Sequence, residues 1–353
     1  MAPRPTIHPT RHKDAKVFQG RRISGLHPRY TTGTDRGNEG LFNESVGIVM
    51  SSPKRHHYLP RFYLENFCND GQLWVFDRKN KQYRNQTPNN TALQTHYYSV
   101  EDKKGNKNTD IELFLSRIEG QAQPIISKIN ASEQISNKEK DILSIFIALL
   151  MNRVPDFEKS VNEVNEYLIK QMSNLMFSDE KTTQSILSQD ERDTGKKPTV
   201  TAKDTVEFHK NCTHRNLSLG MMLELSMDLA KYFRQMDWLF LNTPDKKSFV
   251  TTDNPVVLVS PGHKQESFLG DSIVTTGVTK LVPLSQRTCL IMLDRGELVG
   301  YRHATIESVR KINIILAQNT DQFLIGRDEA LVRNLVKTTR LDQYERKSRF
   351  RII

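Results

Sequence analysis

Apolar and polar positions change rhythm along this chain. Up to residue 49 the apolar residues fall singly, and Pro3, Pro5, Pro9 and Pro28 interrupt any amphipathic helix. Such a stretch cannot bury a core of its own and reads as a disordered leader. From Arg55 the pattern tightens. Pro60 holds Leu59 extended, Arg61 to Phe67 reads as a short helix, and Asn69-Asp70-Gly71 ends it. Gln72 to Arg78 is a strand apolar on both faces, turned at Asp77 to Asn80 onto Lys81 to Arg84, and a further short strand is expected at Tyr97 to Val100.

Helical periodicity fills the middle. Thr109 and Glu112 stand at capping-box spacing before Ile111, Phe114, Leu115, Ile118, Ile125 and Ile129, with Pro124 expected to break the helix. Asp141 to Arg153 is almost wholly apolar and predicts a central buried helix ended by Pro155, after which Asp156 can cap a helix carrying Phe157, Val161, Val164 and Leu168 on one stripe. Ser178 to Pro198 is polar and expected to be a mobile internal loop, and a helix over about Thr201 to Gln235 closes the section.

Short apolar runs at Trp238 to Asn242, Phe249 to Thr252, Val256 to Val259, Val278 to Val282 and Thr288 to Leu293 then predict a sheet. A helix at Thr305 to Ala317, a strand at Gln322 to Ile325 and a helix at Asp328 to Thr338 complete it. Strands at both ends around a helical middle predict a single α+β domain over residues 50–345, with the N-terminal hairpin and the C-terminal strands in one composite sheet.

Composition narrows the class. Lys and Arg number 51 against 41 acids, a net charge of +10 that favours anionic partners such as nucleic acid without demonstrating one. Residues 1–49 hold eight of those bases and four of the acids, so the remainder carries +6. Met50 stands directly before the first structured motif, so residues 1–49 read equally as an upstream extension of the reading frame outside the native protein. Cys68, Cys212 and Cys289 form no C-x-x-C pair, which argues against a disulfide framework and for a cytoplasmic protein. The greasiest run, Ile142 to Met151, is about half of the roughly 20 residues a membrane span needs, so no membrane association is expected.

Phosphate-loop, H-E-x-x-H, G-x-S-x-G and G-x-G-x-x-G motifs are missing from the sequence, which lowers the standing of the common hydrolase and dinucleotide folds. An Arg-x4-His spacing occurs only as Arg22 to His27 in the leader. Arg55-His56-His57-Tyr58 is the first real constellation, since histidine can be base, acid or metal ligand near neutral pH. In an extended segment His56 and His57 face opposite ways, so only one enters a given site. Thr251-Thr252-Asp253-Asn254-Pro255 places Asp253 at a strand end, where a carboxylate can hold a divalent cation, orient a histidine or simply make a turn. Arg153, at the end of the buried helix, can cap carbonyls or clamp an anion. In His209 to His214 the histidine and cysteine at three-residue spacing, His209 and Cys212, share a helical face, but no fourth ligand is visible and a solvated face fits better than a metal site. Basic residues including Arg61, Arg78 and Arg84 alternate with Tyr58, Phe62, Tyr63, Trp74 and Phe76, a mixture suited to nucleic acid and equally to a hairpin with an apolar underside.

The string His56 to Phe67 (HHYLPRFYLENF) with Leu73 to Arg78 (LWVFDR), Ile145 to Pro155 (IFIALLMNRVP), Phe249 to Val256 (FVTTDNPV) and Val282 to Ser285 (VPLS) resembles the mainly bacterial family called domain of unknown function 4238. The resemblance spans about Lys54 to Leu324, supports Met50 as the start, and implies that the His-His-Tyr, Arg153 and Asp253-Asn254 groups meet around one site. It supplies no reaction. The leading expectation is a hydrolase of nucleic acid or another phosphate ester, with His56 or His57 as base or ligand, Asp253 as its orienter or metal ligand, and Arg153, Asn254, Tyr58 and Arg61 binding substrate. The alternative is a non-catalytic binding module whose His, Arg and Asp residues form a structural polar network. A third reading is a phage-defence or toxin effector.

Overall fold

The computed structural model describes residues 55–95, 100–101, 107–108, 110–176, 188–189, 191–192, 195, 215–260, 277–294 and 299–343. The leader, Thr201 to His214, Tyr97 to Ser99 and nearly all of Ser178 to Pro198 lie outside them. In chain order the elements are β1 (Arg55–His57), α1 (Arg61–Glu65), β2 (Leu73–Asp77), β3 (Gln82–Gln86), β4 (Leu93–Thr95), β5 (Val100–Glu101), β6 (Lys107–Asn108), α2 (Asp110–Asn130), α3 (Asn137–Asn152) and α4 (Pro155–Met176). There follow α5 (Arg215–Gln235), β7 (Asp237–Asn242), β8 (Thr251–Thr252), β9 (Val257–Val259), β10 (Thr279–Pro283), β11 (Thr288–Leu293), β12 (Gly300–His303), α6 (Ile306–Gln318), β13 (Phe323–Gly326) and α7 (Glu329–Thr339).

The composite sheet forms. β2 pairs with β3 on one side and with β13 on the other, and β13 pairs with β8, giving the antiparallel order β3-β2-β13-β8. A second sheet has the order β12-β7-β11-β10-β9, in which only β12 and β7 run parallel. Strand alternation explains why β2 is apolar on both faces: Leu73 and Val75 enter a core shared with α1 to α5, whereas Phe76 enters a second core under α6 and α7. β13 divides likewise, Ile325 to the first core and Leu324 to the second. Gly326 closes the packing of β13 on α7, since a Cβ there would lie 2.9 Å from Val332 Cγ2. Sheets covered by helices on both faces make this a mixed α+β domain.

Several elements differ from expectation for local reasons. α2 runs unbroken through Pro124 because Pro124 and Gly120, four residues before it, are exposed. The carbonyl that loses its bond is solvated, and Gly120 presents no Cβ to the ring. α3 starts earlier, at Asn137, where Ser136 and Glu139 make a reciprocal capping box. Asp156 lies in the first turn of α4, behind Pro155, instead of capping it. The strand expected at Phe249 to Thr252 shortens to Thr251–Thr252, because Phe249 N–H donates to Gln286 O and Val250 N–H to Asn313 Oδ1. Among the described residues no helix is long and apolar enough to cross a membrane.

Candidate functional site

β1 pairs with β4 so that His56 and His57 face opposite ways. His56, 5% exposed, points its Nε2 to within 3.0 Å of Glu112 Oε1, a close polar contact out of line for a hydrogen bond. His57 is half-buried, with Nε2 3.3 Å from Pro88 O, an acceptor that requires the proton on Nε2. Burial lowers the pKa of His57, and the charge of Arg153 adds to this against the raising effects of Pro88, Asn89 and Glu119, which favours the neutral ring. Arg153 caps the C-terminus of α3 with its backbone and turns its buried guanidinium inward, donating to Glu119 Oε1 at 2.6 Å and to His57 O at 2.9 Å. The arginine therefore clamps β1 to α2. Glu112 and Glu119 stand two turns apart on α2, on the same stripe as the buried Leu115, Ala122 and Ile126. Their place on an apolar stripe was the signal in the sequence, and it was missed: a carboxylate there must meet a cation.

Asp253 lies elsewhere in the network. Its Oδ1 accepts from Asp321 N–H at 3.0 Å and its Oδ2 from Gln322 N–H at 2.6 Å, while its own N–H donates to Phe323 O. The side chain thus fastens the end of β8 to the loop before β13. Burial, reinforced by Asp321, pushes its carboxyl up to about 7 against the opposing pull of the backbone donors. No hydrogen bond or ion pair joins Asp253 to His56 or His57, so the direct pair expected from the sequence does not form; backbone N–H groups occupy the carboxylate instead. Asn254, 2% exposed, donates from Nδ2 to Asp156 Oδ2 at 3.4 Å, and its N–H donates to Thr252 Oγ1.

Tyr63 joins further motifs. Its hydroxyl donates to Pro283 O at 2.8 Å and so accepts from Thr251 Oγ1 at 2.7 Å, tying α1, β8 and the end of β10 at one buried point. Tyr58 is buried in the first core, as are Tyr63 and, in the second core, Phe76. These rings pack the interior and offer no face to a base. Arg84 pairs with Asp77 and Arg78 donates to Thr320 O, whereas Arg61 stays at the surface in an i,i+4 pair with Glu65. Among the described residues no group of three or more His, Cys, Asp or Glu side chains is placed to hold a metal ion. The His209 to His214 segment lies outside them.

An open site does exist, built from residues the sequence reading passed over. A polar cleft of about 450 Å³ lies between Glu65 and Asn66 at the end of α1, Asn130 and Ser132 at the end of α2, Asn242 and Thr243 at the end of β7, the Ser285 to Thr288 turn into β11, and His303. Ser285 Oγ donates to Asn130 Oδ1 at 2.7 Å and accepts from Arg287 N–H and Thr288 N–H; Asn130 Nδ2 donates to Asn66 Oδ1. Thr288 Oγ1 donates to Asn242 Oδ1, and Asn242 Nδ2 donates to Ser132 Oγ at 2.9 Å. Ser132 sits at φ 59° in the position after α2 where glycine is the cheap choice. Its hydroxyl, which glycine lacks, anchors Asn242. Thr243 Oγ1 and Gln286 Oε1, also lining the cleft, are buried without a hydrogen-bond partner.

No curated protein and no solved structure matches the chain. A family model does, over residues 55–330, a span that takes in the β1–α2–Arg153 clamp, the Tyr63 junction, the Asp253 turn and the whole polar cleft. The polar framework and the matched span coincide, and the chain belongs to the family described as "Protein of unknown function (DUF4238)".

Proposed function

We propose that this chain is a non-catalytic binding module whose ligand is a small, hydroxyl-rich anion of the sugar-phosphate kind, held in the polar cleft. One observation carries the reading: Asn66, Asn130, Asn242, Ser285 and Thr288 hold one another in fixed orientations around an open volume. His56, Arg153 and Asp253 meanwhile spend polar atoms on partners inside the fold. Amides and hydroxyls that are already oriented bind hydroxyl groups with little ordering cost, and Arg287 at the rim, whose ion pair with the solvent-facing Asp245 is itself exposed, can exchange it for a phosphate. Among the described residues the lining holds no Phe, Tyr or Trp, which favours a sugar over a stacked base.

Ribose 5-phosphate, with ribose and inorganic phosphate as controls, is the probe. A ligand at 100 times its Kd stabilises a protein by about 2.7 kcal/mol, readily seen as a rise in melting temperature. The expected result is such a rise with ribose 5-phosphate, lost in Arg287→Glu and weakened in Ser132→Gly. No shift with any probe would count against the reading. Hydrolysis of the phosphate ester abolished by His303→Ala would transfer the same cleft to a hydrolase.

A further inference from the structure

A second cavity, of about 590 Å³, opens between the Lys246–Ser248 loop, α6 and the start of α7, and shares no lining residue with the polar cleft. Its floor is aliphatic, made by Ile306, Val309, Leu331 and Leu335, and Ile306 is 60% exposed at its edge. Four cations stand around that floor: Lys246, Lys247, Arg310 and Arg327. None of them has a carboxylate within ion-pair distance among the described residues, although Arg61, Arg84, Lys128, Arg153, Arg287 and Arg333 all do. Asp328, the one acid among the described lining residues, spends its Oδ1 on Leu331 N–H as the cap of α7. Lys246 is held at φ 62°, a left-handed backbone that a lysine adopts at some cost.

We propose that this cavity binds a small amphipathic anion: an aliphatic chain laid on the Ile306–Leu335 floor, with a terminal carboxylate or phosphate met by Arg310, Arg327 and the two lysines. Asp328 stands on the lining and Glu307 acts on Arg310 without an ion-pair contact, so four like charges are only partly compensated and are offset best by an anion supplied from outside. Among the described residues the floor offers aliphatic surface and no aromatic ring, which selects an alkyl chain over a nucleobase. The volume falls within the roughly 300–1,000 Å³ of small-molecule sites, whereas a stable protein partner needs an interface of about 1,200 Å² or more.

Calorimetric titration of the full chain with decyl phosphate and decanoate, below their micelle concentrations, tests this. Decanol and inorganic phosphate isolate the contributions of tail and head. The expected result is saturable binding of both anions, at least tenfold weaker binding of decanol and of inorganic phosphate, and a tenfold or greater loss in Arg310→Glu and Lys247→Glu. Arg310 and Lys247 are exposed, so the melting temperature of these variants should stay near that of the parent. Ile306→Ser, also at an exposed position, should weaken the anions through the tail. Three results would overturn the proposal: no binding of either anion, equal affinity for decanol, or undiminished affinity in both charge-reversal variants. Binding seen only with anionic vesicles and never with the monomeric anions would do so as well.

Discussion

Asp253 lends itself to a quantitative test, because its carboxyl is both buried and bonded to backbone. Its pKa is pushed from an ordinary value of 3.8 to about 7. At about 1.4 kcal/mol per pKa unit, that difference between folded and unfolded chain is worth about 4 kcal/mol. The sign follows from proton counting. Between about pH 4 and pH 7 the folded chain keeps a proton on Asp253 that the unfolded chain has released, so stability falls as pH rises through this window and levels off above it. Asp253→Asn keeps the size and removes the titration, at a cost that does not vary with pH because its Nδ2 cannot accept from one of the two backbone N–H groups. Urea unfolding of the two proteins at intervals from pH 4 to pH 8 isolates the effect, since every other group cancels in the difference. That difference should move by about 4 kcal/mol in favour of the Asn variant from the acid to the alkaline end. Asp253→Ala should behave differently at pH 5, where it strips the acceptors from Asp321 N–H and Gln322 N–H and destabilises by about 2–5 kcal/mol. A difference between wild type and Asn variant that is constant with pH would refute the reasoning. So would an Ala variant as stable as the parent at pH 5.

Two further outcomes follow from the same network. Arg153→Ala should destabilise by about 3–5 kcal/mol, because Glu119 and the carbonyl of His57 lose their donor, whereas Arg153→Met combined with Glu119→Leu should recover most of that; denaturant midpoints of the single and double variants decide it. Tyr63→Phe should cost about 1–3 kcal/mol by leaving Pro283 O and Thr251 Oγ1 without their shared partner, read as an earlier thermal transition with an unchanged circular dichroism spectrum before melting.

Much of the architecture was written locally. The period of apolar residues gave α3, α6, α7, β7, β10 and β11 to within a few residues, because side chains on one face of a helix or strand report which way the element must lie. Double-faced apolarity in Leu73 to Asp77 already demanded a covered strand, and the composite sheet supplies the cover. Arg153 at the C-terminus of α3 was equally legible. Short strands without a run of apolar residues, β4 and β12, were not, since their pairing rests on partners distant in the chain. The same limit applies to the sites. Which partner each of Glu112 and Glu119 would meet depends on how α2 lies across β1, and Asp253 is held by backbone N–H groups, which look alike at every non-proline residue and carry no trace in the sequence.

The amino-acid sequence thus determined most of the helices and strands and the faces they bury, and singled out the polar residues at 56, 153, 253 and 254 as candidates for a site or a polar network. Tertiary structure alone decided what those partners are. It also assembled the polar cleft from Asn66, Asn130, Asn242, Ser285 and His303, and the cationic cavity from residues between Lys246 and Leu335. The reason is geometric: periodicity fixes side-chain direction within one element, but convergence depends on the relative placement of elements that long connections leave free until the cores close.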